Sequence, residues 1–110
     1  RTVEAVLMPE APEPTVLVRA RPIEGSNRPP EYPREARRRS EEGTVLLVLW
    51  VSADGSVGEV RIGRSSGRAR LDREALRAAA RWRFAPATRD GVPVGSEFEL
   101  DVEFRLVDRQ

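Results

Sequence analysis

A run of seven consecutive apolar residues in the middle of the sequence constrains the fold more than any other feature. It lies within residues 44–55, TVLLVLWVSADG, and is followed by the turn signal Asp54-Gly55. Because the run is short and its side chains are mostly branched, the pattern predicts a strand rather than a buried helix. A strand with no polar face must be covered on both sides, so we expect it at the centre of a sheet. The run consists of Val45, Leu46, Leu47, Val48, Leu49, Trp50 and Val51.

Composition excludes most catalytic and metal-binding functions. The 110-residue chain suits one domain, and its net charge of +1 gives no argument for binding nucleic acid or a membrane surface. The sequence has no cysteine, histidine or lysine, so the usual general base, metal ligands and activated nucleophiles are missing. An enzyme would have to rely on residues such as Ser65, Asp72 and Glu74. We therefore expect no catalytic residues, no metal and no other cofactor.

The first part of the chain has the composition of a linker. Residues 1–31 contain six of the nine prolines, and no apolar window is long enough to span a membrane. We expect residues 1–28 to be a Pro-rich linker or N-terminal extension and residues 29–110 to form the domain. Residues 15–21, TVLVRAR, have strand composition and are a candidate extra strand at a sheet edge. The absence of a signal peptide leads us to expect a fragment or processed form, with any anchor upstream.

Residues 32–84 predict two helices separated by two strands. A short helix opens at Tyr32-Pro33 and closes at Gly43, since proline suits the first helical turn and glycine the end. After the apolar strand and its turn, residues 57–64 alternate as a second strand, which forms a hairpin with the first. The main helix is predicted to begin with Asp72 as its N-cap and to end near Phe84, because Pro86 disfavours continuation.

Residues 96–107 give the cleanest period-two pattern and predict the third strand. Together the elements predict an α+β fold of order α-β-β-α-β. It contains a three-stranded antiparallel or mixed sheet of order 2-1-3, with two helices packed on one face and a right-handed crossover through the main helix. The third strand is then a long, regular edge, which proteins either shield or use for binding.

An ordered set of residues across the chain resembles the TonB C-terminal domain family. The resemblance spans roughly residues 29–106, and the segment Trp82-Arg83-Phe84 followed by Pro86 is its most specific part. The matching residues are Pro30, Tyr32, Pro33, Ala36, Glu42, Gly43, Asp54, Gly55, Val60, Ile62, Ser65, Ser66, Gly67, Leu71, Asp72, Ala75, Leu76, Trp82, Arg83, Phe84, Pro86, Ala87 and Gly91.

The resemblance implies a periplasmic energy transducer of Gram-negative bacteria, anchored in the inner membrane upstream of this sequence. It implies ExbB and ExbD as partners of that upstream region, and a TonB-dependent outer-membrane transporter as the partner of this domain. The transporter's TonB box would add to the edge of the last strand, supporting uptake of iron chelates, cobalamin or similar cargo. The implied partner-binding residues are Tyr32, Pro33, Arg34, Ser96, Glu97, Phe98, Glu99, Leu100, Asp101, Val102, Glu103 and Phe104.

The central strand departs from the family pattern, in which outward residues are commonly polar. Leu46, Val48 and Trp50 occupy outward positions and predict a second apolar surface. Three covers are open: residues 16–20 folded back, which we favour, a second copy of the domain, or a protein partner. If residues 16–20 instead pair with the third strand, they would compete with the TonB box.

Other functions remain as alternatives. A TolA-like or other periplasmic adaptor or sensor module would use the same fold for a different task. A nucleic-acid binder would need a basic face with stacking aromatics, and only Arg37, Arg38 and Arg39 point that way. The resemblance also implies that copies of the domain can exchange strands into a homodimer, which is consistent with an exposed edge.

Overall fold

A computed structural model describes residues 3–5, 7 and 15–107. Of the expected linker, the prolines Pro9, Pro12 and Pro14 lie outside these described residues. The elements in chain order are β1 (Leu17–Val18), β2 (Arg21–Pro22), α1 (Arg34–Arg38), β3 (Gly43–Val51), β4 (Val57–Arg64), α2 (Ala69–Ala79), β5 (Phe84–Ala85), β6 (Ala87–Arg89), β7 (Val92–Val94) and β8 (Ser96–Phe104).

The main sheet is built on β3, which is paired along both edges. Its order is β4-β3-β8, and β3 is antiparallel to both neighbours. Leu49 lies opposite Val60 of β4 and Phe98 of β8. The apolar run therefore forms the central strand, and β4 and β8 run parallel to each other on either side of it.

The helices contribute small side chains to a core on one side of this sheet. Val45, Leu47, Leu49 and Val51 of β3 are fully buried. Three alanines on the helices are also fully buried: Ala36 on α1, and Ala75 and Ala79 on α2. Their short side chains allow the helices to pack closely on the sheet. No helix in the described part of the chain is long and apolar enough to cross a membrane.

The main helix starts earlier than the sequence predicted. It begins at Ala69, after Arg68, which makes no side-chain capping bond, so the prediction of Asp72 as N-cap is wrong. Asp72 lies inside the first turn and accepts hydrogen bonds from Ser65 Oγ, from Ser66 N at 2.9 Å and from Ser66 Oγ at 2.7 Å. Burial disfavours the charged carboxylate and by itself would raise the pKa of Asp72. The hydrogen bonds from Ser65 and Ser66 outweigh this effect, so the pKa is lowered. The carboxylate thus fastens the preceding loop to the helix.

The same helix ends at Ala79 rather than near Phe84. Phe84 is 1% exposed and begins β5, and its amide donates to the carbonyl of Gly55 at 2.8 Å. β5 also pairs with β2. Burial of the Phe84 ring and these backbone hydrogen bonds stabilise the chain more than further helical turns would. Continuation of the helix is already disfavoured near Pro86.

Residues 87–94, between the main helix and the last strand, form a hairpin of β6 and β7. Its turn is Asp90-Gly91, and both residues have positive φ, 50° and 83°. Two consecutive residues with positive φ are typical of the type I′ hairpin turn. β1 pairs antiparallel with β6, and Val16 exchanges hydrogen bonds with Asp90 at 2.8 and 2.9 Å. The N-terminal segment therefore joins a small second sheet, β1-β6-β7.

The last strand ends at Phe104, before the predicted limit at Val107. Beyond it, the amide of Leu106 donates to the carboxylate of Glu42 at 2.8 Å. This bond to a side chain replaces a ladder bond to β3, since β3 begins at Gly43 opposite Phe104.

Candidate partner-binding edge

The free edge of β8 is the most regular unpaired backbone in the described part of the chain. All nine residues of β8 pair with β3 without a shift of register. Its other edge pairs with none of the described strands. A strand bonded on one side carries outward N–H and C=O groups at alternate residues, which another extended chain can use.

The opposite edge of the sheet, β4, is less suited to pairing. Its register against β3 shifts twice, between Leu46 and Leu47 and between Leu49 and Val51. At each shift β4 contains one more residue than β3. Bulges bend a strand and twist its edge, and β4 also includes Gly58 and Gly63, which weaken strand pairing. The two free edges are therefore not equivalent, and β8 is the better template.

The predicted residues of β8 divide between two faces of the sheet. Phe98, Leu100, Val102 and Phe104 belong to the core or pack against it. The outward residues Glu97, Glu99, Asp101 and Glu103 are exposed. A chain added to this edge would meet an apolar inner row and an acidic outer row.

Ser96, at the start of β8, stands apart from both rows. Its Oγ is shielded from solvent and has no hydrogen-bond partner among the described residues. An unsatisfied buried hydroxyl is unfavourable and is usually paired in native proteins.

Tyr32 lies at the opposite end of β8. Its ring packs edge-on against Phe104, with centroids 5.6 Å apart, and its hydroxyl donates to the carbonyl of Glu41. Burial raises the pKa of the Tyr32 phenol, and the negative charges of Glu42 and Glu41 add to this effect. Pro33 precedes α1 as its N-cap, and Arg34 begins the helix with an exposed side chain. Of these three residues, Tyr32 packs directly on β8.

Glycines within β4 and immediately before β8 accommodate the outward side chains of β3. A Cβ added at Gly95 would lie 2.5 Å from Trp50 Cζ2, and one at Gly58 would lie 3.2 Å from Trp50 Cδ1. A Cβ at Gly63 would lie 3.0 Å from Val48 Cγ2. Because these positions lack side chains, the apolar groups of β3 can lie against the neighbouring backbone.

An ion pair bridges the two strands on either side of β3. Arg61 Nη2 of β4 is 3.0 Å from Glu97 Oε1 of β8. Arg61 and Glu97 lie opposite Val48 and Trp50, respectively, so the pair crosses the outer face of β3. Val48 is only 7% exposed, whereas Trp50 is 45% exposed.

Of the predicted second apolar surface, Val48 is therefore buried, Leu46 is half-buried and Trp50 is exposed. The favoured cover, residues 16–20, is wrong, because this segment pairs with β6. The alternative that it pairs with the third strand is also wrong, since β8 pairs only with β3 among the described strands.

The structure adds a groove that sequence reasoning missed. It has a volume of about 590 Å³. Residues 96–99 of β8 form one side, and residues 17–20 of the N-terminal segment and 87–89 of β6 form the other. In the sequence, the Asp90-Gly91 turn indicated the hairpin that contributes to this far wall. Pro93 obscured that indication, because a proline within a run argues against a strand.

Some residues considered for the alternative functions form ion pairs within the domain. Glu74 pairs with Arg77 at 3.1 Å, and Glu35 pairs with Arg39 at 2.9 Å. Glu35 also lies 3.9 Å from Arg38, so it pairs with two members of the arginine run. Among the described residues, no group of three or more acidic side chains is arranged to hold a metal ion.

Comparison with known proteins identifies related sequences over most of the chain. The family model described as Gram-negative bacterial TonB protein C-terminal matches residues 28–106. Protein TonB of Vibrio cholerae is 42% identical over 77 residues, which cover 70% of this chain and 32% of that protein. Protein tonB2 of Pseudomonas aeruginosa is 44% identical over 80 residues, covering 73% of this chain and 30% of that protein.

A solved structure shares the fold. The solution NMR structure of the Pseudomonas aeruginosa TonB CTD matches with a TM-score of 0.67 and 29% identity, covering 83% of this chain and 90% of that one. The present chain spans about a third of the length of these two curated relatives.

Proposed function

Because this chain belongs to the Gram-negative TonB C-terminal family, we propose that it is the domain of an energy transducer that binds outer-membrane transporters. The family assignment confirms the resemblance recognised in the sequence. In our proposal, the TonB box of a transporter adds as a strand to the free edge of β8, and force applied through the domain supports cargo uptake.

The regular edge of β8 is the observation that carries this proposal. Its nine residues keep one register with β3, while β4 is bulged. An incoming strand would find evenly ordered backbone donors and acceptors at β8 alone of these two edges. This mode depends mainly on backbone bonds, so it tolerates variation in the sequence of the box.

The expected affinity is modest. Roughly five new backbone hydrogen bonds at about 0.5–1.5 kcal/mol each give a few kcal/mol, from which the cost of ordering a flexible peptide is subtracted. A reversible contact of this strength suits repeated engagement and release. The exposed acidic row of β8 favours a partner with basic residues beside the box, since opposite charges on adjacent strands attract.

The proposal extends to the protein from which this domain comes. We place the domain in the periplasm, tethered to the inner membrane by an upstream anchor that acts with ExbB and ExbD. The same β8 edge provides a route to homodimers, in which a second copy replaces the transporter strand.

An NMR titration with synthetic TonB-box peptides tests the function. We expect saturable shifts along residues 96–104 and near Tyr32, with smaller changes along β4. A peptide with proline in the centre of the box is the control, because proline removes a backbone donor and disfavours strand pairing. Absence of shifts with every box peptide, or equal binding of the proline control, would contradict the proposal.

A further inference from the structure

The groove beside β8 has a second wall that belongs to the N-terminal segment. We propose that this wall, formed by Leu17, Val18 and Ala20, is part of the partner site and holds the incoming strand against β8. This inference rests on the proposed function, because its occupant is the same transporter peptide. It adds a recognition element outside β8, and a hydrogen-bonding role for Ser96.

The position of the groove supports this assignment. Residues 96–99 of β8 form one wall, so the groove continues directly into the free edge. Four residues of extended chain cover about 13 Å, at about 3.3 Å per residue, so the groove covers the first half of β8. A strand added there must pass between β8 and the small sheet.

The chemistry of the groove defines the occupant. Phe98 contributes apolar surface on the β8 side, and Ala20, Ala87 and Val94 contribute it on the other. Leu17 is 65% and Val18 is 44% exposed. An extended peptide with small apolar side chains at alternate positions would cover this apolar surface. The groove is also lined by charged residues, to which polar groups of the peptide can turn: Arg19, Arg89, Glu97 and Glu99.

Ser96 provides an independent indication of a missing partner. Its Oγ is buried without a hydrogen bond among the described residues, and Ser96 lines the groove. A peptide backbone in the groove brings donors and acceptors to this hydroxyl. The hydroxyl therefore stabilises the complex. In the free domain it makes no hydrogen bond, so replacing Ser96 with alanine would not lower the free energy of unfolding.

The N-terminal wall is fixed before the partner arrives. β1 pairs with β6, and the two hydrogen bonds between Val16 and Asp90 extend that pairing toward the turn. A wall that is already ordered costs little conformational entropy on binding. We therefore expect this segment to strengthen binding of the TonB box, not to compete with the box for the third strand.

Three variants of the whole chain test the proposal, using the TonB-box peptide that produces the largest β8 shifts. The double variant Leu17→Ala and Val18→Ala should weaken binding about fivefold, because it removes partly covered apolar groups from the wall. Val92→Ala is the matched control: Val92 is 62% exposed in the same small sheet but lies outside the groove, so its Kd should be unchanged.

Ser96→Ala tests the second part with two readouts. Binding should weaken about fivefold through loss of one hydrogen bond, while the thermal midpoint of the free domain stays unchanged or rises. Unaltered Kd values for the double variant and for Ser96→Ala, with β8 shifts still present, would overturn the two-walled groove and leave the proposed function intact. Failure of the unmodified chain to bind any box peptide would instead overturn the proposed function.

Discussion

Replacing Gly95 with alanine should destabilise the domain because Trp50 occupies the space of the missing side chain. The new Cβ would lie 2.5 Å from Cζ2 and 3.1 Å from Cε2 of the indole. These distances are shorter than van der Waals contact, so the ring must lift from the sheet. Trp50 is 45% exposed, and more than half of its surface is therefore at stake.

The size of the effect follows from the buried area. Lifting the indole exposes on the order of 100 Å² of apolar surface, worth about 2.5 kcal/mol at about 25 cal/mol per Å². Replacing glycine with alanine at a compatible φ returns about 0.4–1 kcal/mol by restricting the unfolded chain. We therefore expect Gly95→Ala to lower the free energy of unfolding by about 2 kcal/mol.

A double-mutant cycle tests this reasoning. In a Trp50→Ala background the obstruction is gone, so Gly95→Ala should become neutral or stabilise by about 0.4–1 kcal/mol. Urea unfolding followed by circular dichroism measures all four proteins without relying on tryptophan fluorescence. Equal destabilisation in both backgrounds would refute the packing of Trp50 on Gly95.

Three further predictions concern the fold. Gly55→Ala should cost more than about 3 kcal/mol of unfolding free energy, since its Cβ would lie 2.2 Å from the carbonyl oxygen of Phe84 at a φ of +88°. Gly67→Ala is the control: Gly67 has a φ of +87° but lies in open space, so the cost should be only about 1–2 kcal/mol. Similar losses for both variants in thermal denaturation would exclude the contact. Because the folded pKa of Asp72 lies below its unfolded value, its contribution is complete above the unfolded pKa and disappears as pH falls through the folded one. Asp72→Asn should therefore flatten the loss of stability below about pH 4, and an unchanged pH profile would contradict this role. Tyr32→Phe should cost about 1 kcal/mol in urea unfolding through loss of the phenol hydrogen bond, with an unaltered value as the negative result.

The main sheet was predictable because its strands carry strong hydrophobic patterns. The apolar run of β3 required cover on both sides and pairing on both edges, and β8 alternates along its length. Trp50 could not be interpreted in the same way. Its environment depends on Gly58 across the hairpin and on Gly95, which is distant in sequence, and both become its neighbours only through strand pairing.

The start of the main helix illustrates a different limit of prediction from the sequence. Asp72 has the chemistry of an N-cap, and sequence reasoning assigned it that position. In the fold its carboxylate satisfies the loop at Ser65 and Ser66 from within the first turn. Local capping preferences cannot distinguish these arrangements, because both use the same carboxylate and nearby donors.

The groove was unpredictable for a topological reason. Its far wall arises from residues 17–20 and residues 87–89, which are separated by most of the domain in sequence. Each pairing segment is only two or three residues long, too short for a periodic pattern. Only the turn at Asp90-Gly91 marked the hairpin.

Backbone hydrogen exchange along β8 in the presence of a TonB-box peptide most directly tests strand addition. In the free domain, alternate amides of Ser96–Phe104 bond to β3 while the others face the open edge. Binding should protect the open-edge amides at every second residue and change the β3-facing set little. Uniform protection of the whole strand, or protection confined to another surface, would contradict addition of the partner to β8.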